Sequence, residues 1–146
     1  MTFRGPPKSL PSSGGNATEF PAQNTIFVFW TEGLCIVHLG NLRSPLSDEQ
    51  RQHLGHPDML MIPIDGHWTL SYDHIALTIM QLQPAIVLPM HYDFPEHVWR
   101  FIQFIKDSFS VCTRSEVMVR LTRATLPSPT EVLVLGYREG KRRPMQ

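Results

Sequence analysis

The chain has 146 residues, of which 42% are hydrophobic, 10% aromatic and 18% charged, a composition that builds one packed domain and excludes a disordered polymer. Thirteen Lys+Arg offset thirteen Asp+Glu for a formal charge of +0, which excludes the net basic surface that binding to nucleic acid or an anionic membrane requires. No apolar run reaches the length of a membrane span and no hydrophobic signal core follows Met1, so the expected setting is cytoplasmic.

Along the chain, residues 1–23 hold Gly5-Pro6-Pro7 and Pro11-Ser12-Ser13-Gly14-Gly15 without helical or strand periodicity, and are expected to form a flexible leader. A folded unit is expected over 24–138 and a polar tail over 139–146. Ile26 to Trp30 and Leu34 to His38 are β-rich runs around Thr31-Glu32-Gly33, which predicts a hairpin. Ser47 and Gln50 have capping-box spacing, with Asp48 and Glu49 in the first turn, so a short helix is expected up to Gly55. Met59 to Ile64 reads as a strand buried on both faces, as in the middle of a parallel sheet.

Ser71 then caps a helix through Leu82, with Ile75, Ile79 and Leu82 on one stripe and Pro84 beyond its end. Ala85 to Leu88 repeats the buried-strand pattern. A helix starting near Pro95 carries Val98, Phe101, Ile102, Ile105 and Phe109 at the spacing of one face. Two more strands are expected at Val117 to Leu121 and at Glu131 to Leu135. The βαβα order predicts an α/β fold with a mixed sheet. Cys35 and Cys112 lie in apolar stretches without a Cys-x-x-Cys pattern, and are read as buried free thiols.

Three of the predicted strands end in polar, turn-forming clusters: His38-Leu39-Gly40-Asn41, Ile64-Asp65-Gly66-His67 and Pro89-Met90-His91-Tyr92. Ligands of open α/β sheets sit beyond the carboxyl ends of strands, so these loops are expected to share one rim. Imidazole nitrogens and oxygen donors converging there suit a divalent metal such as zinc or manganese. Each residue also has a plainer reading. Asp65-Gly66 is a good turn pair by itself, Asn41 suits a turn after Gly40, and a histidine after a strand is often just hydrogen-bonded. His53, His56, His74 and His97 fall in or beside predicted helices and are assigned structural or surface roles.

Taken in order, these segments, from Asn24-Thr25-Ile26-Phe27 to Pro89-Met90-His91-Tyr92, with Thr69-Leu70 and the late Leu126-Pro127, resemble the C-terminal half of metallo-β-lactamase-fold metal-dependent hydrolases. The similarity is to the ascorbate-6-phosphate-lactonase-like branch and covers about residues 24–135. It implies half of an αββα sandwich, a mixed sheet with helices on one face. It also implies that His91 is the last metal-ligand histidine and that Asn41 occupies the place of an acid bridging two metals. His38 and Gly40 would shape that loop, while Asp65, Gly66, His67 and Tyr92 would line the pocket.

The chain departs from the family's pattern in several places. His-x-His-x-Asp-His does not occur in it, the first 23 residues contain no histidine, Asn41 replaces the bridging acid, and Asp65 stands where the family more often has glycine. An amide carries no charge to screen two adjacent dications, which makes a two-metal site improbable. One water-activating zinc ordinarily needs about three protein ligands. The resemblance therefore implies hydrolysis of an ester, lactone or phosphoester by metal-activated water, at a site completed by an N-terminal half or a second copy, with the isolated chain inactive. Two other readings stay open: a degenerate module for self-association or protein binding, and a piece of a longer protein.

Overall fold

The computed structural model describes residues 2–3 and 24–137. Apart from Thr2–Phe3, the expected leader lies outside the described residues, as does the expected tail. In chain order the elements are β1 (Thr2–Phe3), β2 (Ile26–Thr31), β3 (Leu34–His38), α1 (Asp48–Leu54), β4 (Met59–Pro63), α2 (Tyr72–Leu82), β5 (Ile86–Met90), α3 (Pro95–Ile105), β6 (Ser110–Thr113) and β7 (Glu131–Val134), with a 3₁₀ turn at Arg123–Thr125. They form one sheet in the order β1-β2-β3-β4-β5-β7-β6. The β1 and β2 pairings are antiparallel, and β3, β4, β5, β7 and β6 run parallel. The expected mixed sheet is present.

Local chemistry sets the element boundaries. Glu32 and Gly33 turn the β2–β3 hairpin with positive φ at both positions, the backbone that matches strand twist in two-residue hairpins. The Ser47 side chain accepts from Gln50 N–H while the Gln50 side chain accepts from Ser47 N–H, so the capping box forms as its spacing predicts. Ser71 caps α2, and Gln83 ends it in the left-handed region just before Pro84.

The connections from β3 to β4 to β5 join neighbouring parallel strands, and α2 and α3 pack on one face of the sheet. There Val37, Leu60, Ile62, Val87, Val132 and Val134 pack with Ile75, Ile79 and Leu82 of α2 and Val98, Phe101 and Ile105 of α3. The reverse face carries Phe27, Phe29, Ile36, Met61 and Leu88, held in register across β2 to β5. Ile36, Met61 and Leu88 are only half-buried, and Phe27 and Phe29 are exposed. The expectation that β4 is buried on both faces is thus corrected: Met59 and Met61 are half-buried, because no second sheet covers them among the described residues.

The strand expected at Val117 to Leu121 is also corrected. The strand forms earlier, at Ser110–Thr113, beside β7. Arg114 N–H to Val134 O and Gly136 N–H to Glu116 O extend the pairing a little further before the chain turns away. Val119, Leu121 and Leu126 then line a cleft of about 240 Å³ with Leu34, Ile36 and Met59. The apolar alternation of this segment reflects packing onto the reverse face of the sheet, not membership of the ladder.

Candidate functional site

Because β3, β4 and β5 are adjacent and parallel, the loops that follow them emerge side by side at one rim. Backbone bonds tie the loops together: Leu39 N–H donates to Met61 O, and Ile64 N–H donates to Met90 O at 2.9 Å. The first loop is held by Asn24, whose Nδ2 donates to Leu39 O and whose Oδ1 accepts from Asn41 N–H at 2.7 Å. Gly40 has φ +61, and a Cβ there would meet Asn24 Oδ1 and Thr25 O at 2.5 Å. Gly40 N–H donates to His38 Nδ1 at 3.0 Å, which leaves the His38 proton on Nε2 when the ring is neutral. Asn41 itself is exposed.

The second loop is organised by Asp65. Its Oδ1 accepts from the backbone N–H groups of His67, Trp68 and Thr69 and from the Thr69 hydroxyl, all at 2.9 to 3.0 Å. Burial pushes the Asp65 carboxyl up, but these hydrogen bonds outweigh it and hold the group below its ordinary value. Gly66 follows with φ +65, and a Cβ there would stand 2.8 Å from the Tyr72 ring. Tyr72 packs in turn against Phe101 and Phe104. His67 is exposed and meets the Trp68 ring edge-on at 5.2 Å.

His91 begins the third loop at φ +61, a conformation uncommon for a residue with a Cβ. Its Nδ1 faces the second oxygen of Asp65, Oδ2, at 3.9 Å, with the His91 side chain 36% and the Asp65 side chain 17% exposed. Asp65 and His91 are thus the two predicted site residues that the fold brings face to face. Asn41 leaves β3, two strands from His91, which corresponds to about 10 Å along the rim. Tyr92 turns to a separate cleft of about 320 Å³ that Val98, Val134 and Tyr137 also line. A cleft of about 680 Å³ lies at the opposite rim between the amino ends of β4, β5, β6 and β7.

Sequence reasoning missed Asn24 and Thr69. Thr69 is visible in hindsight, since Asp followed by Thr four residues on is a common way to close a polar turn. Asn24 carries no local signal, because its partners lie 15 and 17 residues away. Two of the helix-associated histidines stand apart from the rim: His53 Nδ1 meets Glu49 O and His56 Nδ1 meets Leu82 O. Both cysteines are free thiols, Cys35 buried and Cys112 half-buried. Burial, with the Asp58 charge beside it, pushes the Cys35 thiol up.

The donor set decides how a metal fits. Among the described residues no group of three or more His, Cys, Asp or Glu side chains is placed to hold an ion. His91 and Asp65 are two such side chains facing each other, short of that number. Also among the described residues, no helix is long and apolar enough to cross a membrane.

Comparison with known proteins agrees with this architecture. The profile of the β-lactamase superfamily domain matches residues 4–91, more than half of the chain. A UPF0173 metal-dependent hydrolase of Lysinibacillus sphaericus is 38% identical over 77 residues, which cover 51% of this chain and 32% of the relative. Another, from Thermoplasma acidophilum, is 33% identical over 61 residues, covering 42% and 27% respectively. The chain thus matches about a third or less of the length of these relatives. A crystal structure from Thermotoga maritima, assigned to the zinc-dependent hydrolases of the metallo-β-lactamase superfamily, aligns with a TM-score of 0.64 at 26% identity, covering 81% of this chain and 61% of the other. By sequence profile the chain belongs to the β-lactamase superfamily domain family, and its fold is that of the metallo-β-lactamase superfamily.

Proposed function

We propose that this chain is the C-terminal half of a metal-dependent hydrolase acting on an ester, lactone or phosphoester, and that it contributes His91 to a metal site whose remaining ligands come from a complementary N-terminal half or from a second copy. The observation that carries this reading is the Asp65–His91 pair at the rim of three parallel strands, in a fold whose relatives are named metal-dependent hydrolases. In this reading His91 is the nitrogen donor and Asn41 a weak neutral oxygen donor. His38, Gly40, Gly66 and His67 shape the surrounding pocket, while Tyr92, expected there, faces the neighbouring cleft. The bound ion, zinc or manganese, would supply an activated water and stabilise developing oxyanion charge. Alone, the chain is catalytically inactive. Two free thiols fit a reducing, cytoplasmic setting.

The test is metal stoichiometry of the purified chain, alone and mixed with the N-terminal half of a family member, together with lactonase and phosphatase turnover. Stoichiometric zinc or manganese retained only in the mixture, lost in His91→Ala and kept in His53→Ala, is the expected result. Equal effects of the two substitutions, or no uptake in either state, would overturn the reading. Asn41→Asp should tighten binding of the ion by restoring the missing charge.

A second reading rests on the exposed Phe27 and Phe29 on the reverse face of the sheet: a non-catalytic module that associates through that face. Self-association measured by sedimentation, with no metal uptake in any mixture, would favour it.

A further inference from the structure

We infer that the segment from Glu116 to Arg120 is a dimerisation edge, pairing antiparallel with the same segment of a second copy about a two-fold axis at Met118. The inference does not depend on the hydrolase reading, and it uses a different surface from the exposed Phe27 and Phe29.

Val117 to Leu121 has the residue types and the alternation of a strand. Among the described residues, however, none of its backbone N–H or C=O groups has a hydrogen-bond partner. Exposure alternates along it: Met118, Arg120 and Thr122 are exposed, while Val119 and Leu121 are half-buried over Leu34, Ile36 and Met59. That is the period of an extended chain lying on a surface, and Thr122 at its end is extended, with φ −136 and ψ 162 replaced by no turn until Arg123 begins the 3₁₀ helix. Both ends are tied down. Gly136 N–H donates to Glu116 O at 2.8 Å, and Arg123 pairs with Asp58 Oδ2 at 3.1 Å. Val117 and Met118 are 84% and 81% exposed, more than any other large hydrophobic side chain among the described residues. An anchored, unpaired, apolar edge of this kind is a template for strand addition.

The charges identify the second copy as the occupant. In an antiparallel pair centred on Met118, Glu116 stands opposite Arg120 of the partner subunit, and Arg120 stands opposite the partner's Glu116. Val117 meets the partner's Val119 on the side facing the sheet, and the two Met118 side chains meet on the outer side. Opposite charges facing each other across antiparallel strands attract, and like charges repel. Centring the pair on Val117 would set Arg114 against Arg120 of the partner subunit. Centring it on Val119 would set Met118 against that arginine and separate the ions. One register therefore pairs the charges and covers both exposed apolar side chains. The formal charge of +0 adds no net repulsion between copies.

Sedimentation of the full chain over a range of concentrations, read together with amide hydrogen exchange, tests the inference. The wild-type chain is expected to form a dimer that protects amides within Val117 to Leu121. Glu116→Lys and Arg120→Glu should each weaken the dimer by about tenfold or more, because each sets like charges face to face at both symmetric positions. Both side chains are exposed, so the melting curve of the monomer should stay in place. Mixed in equal amounts, the two variants should recover the dimer as a heterodimer, in which every charge again faces its opposite. Phe29→Ser should leave the dimer intact. A chain that stays monomeric throughout, a dimer as tight in either single variant, a mixture that fails to recover it, or a dimer lost in Phe29→Ser would each overturn the inference. So would protection of Val117 to Leu121 that appears only on adding the N-terminal half of a family member, which would make that half the occupant of the edge.

Discussion

The two faces of the sheet carry the same kinds of residue and meet different fates. On the helix side Val37, Leu60, Ile62 and Val87 are fully buried, in one cluster with residues of α2 and α3. On the reverse side Ile36, Met61 and Leu88 are as apolar and sit in the same strands, yet remain half-buried. Strand alternation normally sorts apolar residues to one face and polar residues to the other, as in a sheet with one wet side. Here both faces are apolar, the pattern of a sheet made to be covered twice. The difference separates what stabilises this half from what it offers a partner.

The largest expected effect lies on the covered face. Phe101 is fully buried and meets the Tyr72 ring at 5.8 Å, so Phe101→Ala should cost about 3–5 kcal/mol, measured by urea denaturation. The loss would also loosen Tyr72, the residue against which Gly66 packs, and so reach the rim. A cost below about 1 kcal/mol would mean that this face is not the core.

Next in size is Gly40→Ala. The substitution meets both a positive φ and a Cβ approach of 2.5 Å to the Thr25 carbonyl oxygen, a backbone atom that cannot swing aside. It should destabilise by about 1–3 kcal/mol, and it should displace the amide signals of Asn41 while leaving those of α3 unchanged. Ser71→Ala, which removes the α2 cap, should cost about 1 kcal/mol.

Asp65 links stability to acid. Its folded carboxyl lies below the ordinary value of 3.8, so the unfolded chain binds the proton more readily than the folded chain does. The stabilisation is therefore complete above that ordinary value and lost as pH falls through the lower folded one. Denaturation midpoints measured from pH 6 down to about pH 2 should fall less steeply for Asp65→Asn than for the wild type. Identical slopes would show that the turn does not favour the charged form.

The sequence made much of this legible, and the misses share a cause. Short-range signals were readable: the capping box at Ser47, the cap at Ser71, the Glu32-Gly33 turn and the stripe of α3 form where spacing places them, except that α3 ends at Ile105 and Phe109, expected on the same stripe, lies beyond it. The rim was legible in outline because turn residues follow three apolar strands. What failed depended on long-range contact. Val117 to Leu121 alternates like a strand, but Val119 and Leu121 turn to the reverse face, Val117 and Met118 are exposed, and β6 pairs from Ser110 instead. The approach of Asp65 to His91 depends on the parallel register of β4 and β5, which no local pattern encodes.

The smallest expected effect in the isolated chain is the most informative about the comparison. Phe29 is 50% exposed on the reverse face, stacked on Phe27 at 6.2 Å, so Phe29→Ser removes apolar surface that water already reaches. Stability should change by only about 0.5 kcal/mol, the low end for losing one half-exposed aromatic pair. Association with a complementary half is a different matter, since the same ring would then pass from water into a packed interface, and an aromatic anchor at the centre of such an interface commonly contributes about 2 kcal/mol or more. Calorimetric titration of the variant against an N-terminal half should therefore lose most of the wild-type affinity while the melting curve of the chain alone stays in place. Loss of stability without loss of binding would reverse the roles given to the two faces, making the reverse side part of the core of this half and leaving the partner to dock elsewhere.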